Sequence, residues 1–309
     1  MQAVETILSK FNAALNCDRQ RQTIPDWMTR WNYQDAQAQT SNASRMDFST
    51  YNGTQDFADW FQWDAHTGSK PEYLPADRLL PLAAKSLALD RKFVAQNAIQ
   101  YPDDQLKLIA RGNAVDFIYQ TMYPVPERQK LRRILDFGAG FGRQMNLWSQ
   151  SEQLLSYVAM DGIARSYSLQ HVYARHMELA FTDYVDDPDN FEITDTQKPT
   201  IFHLPTWRYD CLRSNYFDAV FCNQVLTEVD PNLCVLMIRE FFRVLKPGGM
   251  FYLRDHDARF SPNHMPLNSL IPVMGFVLEF RPFVSDLAET HGIPKIWRKI
   301  SEREIMSLP

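Results

Sequence analysis

Cysteine is scarce in this chain: four residues in 309, Cys17, Cys211, Cys222 and Cys234, with no Cys-x-x-Cys pair among them. That argues against a disulfide framework and a Cys-based zinc site, and reads as reduced thiols in an intracellular protein. No basic tail or run of Lys and Arg occurs, and the formal net charge is −5. Duplex-binding affinity rests on neutralising phosphates, so this balance speaks against a nucleic-acid partner while leaving room for a small basic patch. No apolar run approaches the ~20 residues of a membrane-spanning helix. Glu5 and Lys10 interrupt any apolar core near the start, so no secretory signal is expected. Repeats and low-complexity segments are absent too. The expectation is a cytoplasmic protein with no membrane association. Apolar residues, by contrast, make up 45% of the chain, enough for a sizeable core in one elaborated domain or two small ones.

The rest of the chain is organised around Ile134 to Arg143, Ile-Leu-Asp-Phe-Gly-Ala-Gly-Phe-Gly-Arg. Ile134 and Leu135 form the apolar end of a short buried strand. Asp136 follows, then Gly138, Gly140 and Gly142 at alternate positions, and Gln144 to Trp148 opens a helix. Glycine serves where backbone takes positive φ or lies close to a ligand. Strand, glycine turn and helix together make a candidate nucleotide site. The dinucleotide fingerprint is G-x-G-x-x-G; here the third glycine comes one place early and Arg143 stands in its position. An ordinary tight turn is the plainer alternative.

Val4, Ile7, Leu8, Phe11 and Leu15 predict an amphipathic first helix. Residues 23 to 75 are loop-rich and aromatic: Trp27, Trp31, Tyr33, Phe48, Tyr51, Phe57, Trp60, Phe61 and Trp63. They read either as core of a small helical subdomain or as a lid over substrate or cofactor. Two helices follow. One shows Leu80, Ala84, Leu87, Val94 and Ala98 on one face; the other, capped by Asp103 or Asp104, shows Leu106, Ala110, Ala114, Phe117 and Thr121 before Pro124. This divides the chain into a helical N-terminal region, 1–125, and a second domain, 126–309. From Arg133 onward strands alternate with helices, which predicts a parallel sheet with crossover helices. Strands are expected at 133–137, 154–160, 200–204, 217–222 and 250–254, with 277–280 and 296–300 as the last two. Ala164 to Ala180 reads as a helix and Phe181 to Pro199 as an acidic, solvated loop. Asp230 and Pro231 read as N-cap and first residue of a helix.

Three segments now align: Asp136 to Gly142, Phe217-Asp218-Ala219-Val220, and Arg243-Val244-Leu245-Lys246-Pro247-Gly248-Gly249. Together they resemble the class I S-adenosylmethionine-dependent methyltransferases of small-molecule type, over about Arg133 to Asp255. The resemblance implies a Rossmann-like, seven-stranded, mostly parallel sheet with helices on both faces, beneath an aromatic-rich helical cap. It implies S-adenosylmethionine as cofactor. Asp136, Gly138, Ala139 and Gly140 would line its methionine and adenosine end. Asp161 with Gly162, at the end of the second strand, would hold the ribose, since a carboxylate there accepts from both hydroxyls. Asn223 ends the fourth strand beside the cofactor. Family members often carry an acid near the adenine after the third strand. Here Pro205-Thr206-Trp207 has none, so Thr206, a backbone carbonyl or the face of Trp207 stands in.

Methyl transfer to a hydroxyl needs a positioned base. His256, in Arg254-Asp255-His256-Asp257 after the fifth strand, is one candidate, and flanking carboxylates favour its charged form. Glu228 is the other. Each also has a structural reading: a hydrogen bond under the loop for His256, a first-turn acid for Glu228. His264 and His291 lie in loops. Neighbours in a strand face opposite ways, so Asp255, His256 and Asp257 do not make a metal site alone, and no metal is expected. The resemblance points to a small-molecule acceptor, most simply a hydroxyl of a natural product or sugar, and to a homodimer as one use of the cap. N- or C-methylation, a nucleic-acid or protein acceptor, and a non-catalytic binding module remain as alternatives.

Overall fold

The computed structural model describes residues 2–21, 24, 28, 53–68, 74–122, 131–255, 263–282 and 292–300. Strand β1 (Arg133–Phe137) is buried on both faces, with Ile134 and Leu135 pointing to opposite sides. A short apolar strand of this kind belongs in the middle of a sheet covered twice. It pairs in parallel with β2 (Ser156–Asp161) on one side and β5 (Phe217–Asn223) on the other. The remaining strands are β3 (Ala180–Asp183), β4 (Thr200–Pro205), β6 (Leu245–Asp255), β7 (Phe276–Phe280) and β8 (Ile293–Lys299). Their order is β3-β4-β2-β1-β5-β6-β8-β7. β8 runs antiparallel to both β6 and β7, and the other pairings are parallel.

Among the described residues the sheet therefore has eight strands, one more than expected. The addition is β3, four residues at the edge, inside the stretch expected to finish a helix and begin an acidic loop. Its outward residues are exposed and it pairs only with β4, so it carries little of the apolar signal that marks the inner strands. The preceding helix stops at His176 instead of Ala180.

Eight helices cover the sheet: α1 (Gln2–Gln20), α2 (Phe57–Gly68), α3 (Ala76–Gln96), α4 (Asp103–Met122), α5 (Met145–Trp148), α6 (Ala164–His176), α7 (Pro231–Val244) and α8 (Leu267–Val273) among the described residues. Asp230 caps α7 by accepting from Asn232 N–H, and Pro231 sits at the first helical position, where its missing donor costs nothing. One face of the sheet, with Leu135, Val158, Phe202 and Val220, meets α1, α7 and α8. The other, with Ile134, Tyr157, Ala159 and Phe221, meets α2, α4 and α5, while α6 contributes to both cores. The N-terminal helices thus lie on both sides.

The face expected for α3 is kept only in part: Leu87 and Val94 pack on the core, but the phase is shifted. Leu80 is 66% exposed, and the buried residues are Ser86, Asp90 and Phe93. That face meets polar partners: Asn146 and Tyr173 both donate to Asp90, at 2.8 and 2.6 Å. Of the aromatic segment, Phe57 and Phe61 are core residues. Trp27, Trp31, Tyr33, Phe48 and Tyr51, and the Trp63 side chain, lie outside the described residues.

Candidate functional site

The strand order reverses direction at β1, so the crevice beyond the carboxyl ends of β1 and β5 is where ligands collect in such sheets. Three loops meet there. The first is the glycine turn. Gly138, Gly140 and Gly142 have φ of +67°, +57° and +95°, a region that L side chains avoid. The Gly138 and Ala139 N–H groups donate to the Met160 carbonyl at 2.9 and 3.0 Å, tying the turn to the end of β2. A Cβ on Gly138 would fall 2.3 Å from Val225 Cγ2, so the loop after β5 closes directly on the turn.

This close approach yields an expected result. Gly138→Ala should cost about 1–2 kcal/mol of stability through the backbone alone, with a steric part in addition. Thermal melts should show that added part relieved in a Val225→Ala background. Strictly additive losses would mean that Val225 does not press on the turn.

The second loop follows β2. Asp161 is buried. One carboxylate oxygen accepts from Gly140 N–H at 3.0 Å and the other from Ile163 N–H at 2.9 Å. Burial pushes its pKa up to about 7 against these backbone donors. Asp136, likewise buried, accepts from the Tyr157 hydroxyl at 2.6 Å, and burial raises it to about 7. Gly162 abuts Thr206, whose Oγ1 would lie 3.3 Å from a Cβ there. Thr206 therefore sits at the crevice. Trp207 does not: 2% exposed, it packs edge-on against Phe11 of α1 at 4.8 Å and donates to Asp18 at 3.0 Å. The purine-stacking alternative for Trp207 is thereby replaced by a core role, because the 206–211 turn points its indole at α1.

The third loop follows β5. Asn223 is partly exposed, yet its Oδ1 is buried without a hydrogen-bond partner among the described residues. Glu228 N–H donates to the Val225 carbonyl at 2.9 Å. Burial, with the Asp255 charge adding to it, raises the Glu228 carboxyl to about 8. Asp255 organises this loop by accepting from the Val225 and Thr227 N–H groups, both at 3.3 Å, and from the Thr227 hydroxyl. His256 and His291 lie outside the described residues. His264 follows Asn263, which donates to the Leu226 and Val229 carbonyls.

At the crevice Trp60 comes from the aromatic segment that read as core or lid, and the residues that hold it there had no sequence signal. The Trp60 ring lies 3.4 Å from where a Gly140 Cβ would stand. Helix α2, which carries it, is pinned from both sides. Arg165, just past the second loop, bonds Asp56 at 2.6 Å and Asp59 at 2.7 Å. Arg143, just past the glycine turn, reaches Asp64 at 3.3 Å and Asp116 of α4 at 2.7 Å. Gln170 of α6 donates to the Gly140 carbonyl at 3.1 Å. The hints of this arrangement in the sequence were the aromatic segment itself and an arginine in the place of a third fingerprint glycine.

Residues 110–285 match a family model described as a methyltransferase domain. The match begins inside α4, earlier than the expected boundary at 126. No curated protein matches the chain. Among solved structures, it is similar to an S-adenosylmethionine-dependent methyltransferase of Leishmania major at 14% identity, covering 81% of this chain and 92% of that one, TM-score 0.44. An arsenic(III) S-adenosylmethionine methyltransferase from Chlamydomonas reinhardtii is similar at 16% identity, covering 60% and 70%, TM-score 0.38.

Proposed function

The chain belongs to the methyltransferase-domain family and uses S-adenosylmethionine as its methyl donor; from that premise we propose that its acceptor is a hydroxyl oxygen of a small molecule. The observation that carries the size of the acceptor is the pinning of α2 over the glycine turn by Arg165 and Arg143. A nucleic-acid strand or protein surface needs an open groove along the strand ends, and here the chain's own helix covers part of it. Trp60 on Gly140 supports the aromatic segment as one wall of the pocket.

The residues at the crevice fit the cofactor. The positive-φ turn offers a close backbone approach at Gly140, and the Asn223 Oδ1, buried and without a partner among the described residues, can accept from an ammonium group. Asp161 and Gly162 would hold the ribose, Thr206 would border the adenine, and Asp136, Gly138, Ala139 and Gly140 would line the methionine and adenosine end. When bound, the sulfonium supplies an activated methyl group. The protein aligns the acceptor oxygen and removes its proton. Glu228 stands on the loop after β5 and is our proposed base, with His256 as the alternative.

Calorimetric titration with S-adenosylhomocysteine tests the site. Asp161→Ala should weaken binding by about 1.5–3 kcal/mol, some 10- to 150-fold. Because burial sets the Asp161 pKa near 7, its acceptor form is lost as pH falls. Affinity should therefore drop from pH 8 to pH 6, and Asp161→Asn should bind weakly with a flatter profile. Unchanged affinity in Asp161→Ala would remove it from the site. A screen of methyl transfer to hydroxylated small molecules, RNA and protein tests the acceptor; turnover with polymers alone would sink the small-molecule reading.

A further inference from the structure

At the β3 edge of the sheet, three buried side chains that the methyl-transfer reading does not use converge. His171 projects from α6, Asp183 ends β3, and His203 stands opposite Asp183 in β4. The Nδ1 atoms of His171 and His203 lie 2.6 and 2.9 Å from the same oxygen of Asp183. One ligand-type atom from each of the three lies within 4.8 Å of the others. His203 is 0% exposed and its Nε2 has no hydrogen-bond partner among the described residues, so its ring is oriented through Nδ1 alone. Tyr167 donates to the second Asp183 oxygen at 2.5 Å and stacks on His203 with centroids 3.6 Å apart.

We propose that His171, Asp183 and His203, none of them assigned to the methyl-transfer crevice, form a divalent-cation site of the zinc type. Two imidazole nitrogens and one carboxylate oxygen are a donor set that suits Zn²⁺. The charge balance points the same way. The hydrogen-bond donors to Asp183 are His171, His203, Tyr167 and the Val185 N–H, with no Lys or Arg among them in the described residues. Only the two imidazoles, if protonated, can neutralise this buried carboxylate, and a dication supplies that charge with both rings neutral. Metal–donor bonds of ~2.0–2.2 Å place tetrahedral donors roughly 3.3 Å apart. The present 2.6 and 2.9 Å separations therefore need to open by only a fraction of an ångström. With the ion bound, each imidazole carries its proton on Nε2 and turns its Nδ1 lone pair inward. Tyr167 Oη, or a water entering beside the slightly exposed His171, completes the coordination. The ion would cross-link α6 to the edge strands.

Sequence spacing offers no metal signature here, since the three residues come from three elements and none is a cysteine. The test uses the untagged full chain, stripped with chelator, loaded with Zn²⁺ or Co²⁺ and desalted. About one ion per chain is expected, with a visible absorption band of four-coordinate Co²⁺ and a rise in Tm on Zn²⁺ addition that chelator reverses. His171→Gln and His203→Gln should each weaken binding by more than about 100-fold, while His264→Gln should leave it intact. If wild type holds no more metal than His171→Gln and its Tm ignores Zn²⁺, the proposal is overturned and the trio is a hydrogen-bonded lock. The wild-type cobalt spectrum decides the matter even if the variants do not fold.

Discussion

Asp116→Ala is expected to lower the free energy of unfolding by about 3–5 kcal/mol, the cost of leaving buried charges without their partner. Asp116, on α4, is 0% exposed. One oxygen accepts from Arg254 at 2.6 Å and Tyr252 at 2.7 Å; the other from Arg143 at 2.7 Å and Gln144 at 3.0 Å. Removing it takes the shared carboxylate from two buried guanidiniums, leaving Arg143 with Asp64 and Asn113 and depriving Arg254 at the end of β6 of its 2.6 Å ion pair. Burial alone would raise the Asp116 pKa, but Arg254, Arg143 and the Tyr252 hydroxyl outweigh it and hold it down at about 2. The sign for stability follows from this depression. The contribution is fully present above the unfolded value of about 3.9 and fades as pH falls toward 2. Urea melts of wild type and variant should thus differ most near neutrality and converge in acid. A difference under ~1 kcal/mol at pH 7 would mean that water reaches the arginines. Cofactor affinity should fall as well, because Arg143 anchors both the turn and α2.

Glu228→Gln is expected to reduce turnover by about 10²–10⁴-fold with little change in S-adenosylhomocysteine affinity, the range for a positioned general base. Burial, reinforced by Asp255, sets its pKa at about 8. The ionised form is the one that accepts a proton, so wild-type turnover should climb with pH through about 8, and the Gln variant should lose that climb. An acceptor already ionised, such as an acidic phenol, would show a smaller loss. If His256→Ala abolishes turnover with an alcohol while Glu228→Gln preserves it, the role passes to His256. Indifference to both would leave alignment of the acceptor as the whole of the protein's contribution.

What the sequence revealed was local in origin. β1, its glycine turn and Asp161 at the end of β2 are each written in a few consecutive residues, whereas Lys246-Pro247-Gly248-Gly249, expected as a turn before the strand, lies inside β6 as a break in its register with β5. β3 escaped because four edge residues, three of them exposed or half-exposed and the fourth a buried acid, have almost no apolar pattern between a helix and an acidic stretch. The phase of α3 escaped because its buried face carries Ser86 and Asp90, whose side chains bond Asn113, 27 residues away, and Asn146 and Tyr173, 56 and 83 residues away. Asp116 escaped for the same reason: in the sequence it is one acid in a helix, and only Arg143 and Arg254 make it a hub. Thr206 and Trp207 are neighbours in the chain, yet the turn after β4 sends one to the crevice and the other to α1.

Helix α1 carries a consequence for how the chain is made. Its apolar face, Val4, Ile7, Phe11 and Ala14, is buried in the finished protein, and its partners come late. Phe11 meets Tyr167 and Trp207, and Asp18 bonds Tyr184 and Trp207, across separations of 166 and 189 residues. At ~5–20 residues per second of synthesis, α1 waits roughly 10–40 s before the turn after β4 emerges to receive it. Contacts this distant in sequence slow folding, and through that interval an amphipathic helix is left with its greasy side in water. Translation speed and chaperone supply, rather than the stability of the folded state, should then govern how much active enzyme a cell obtains.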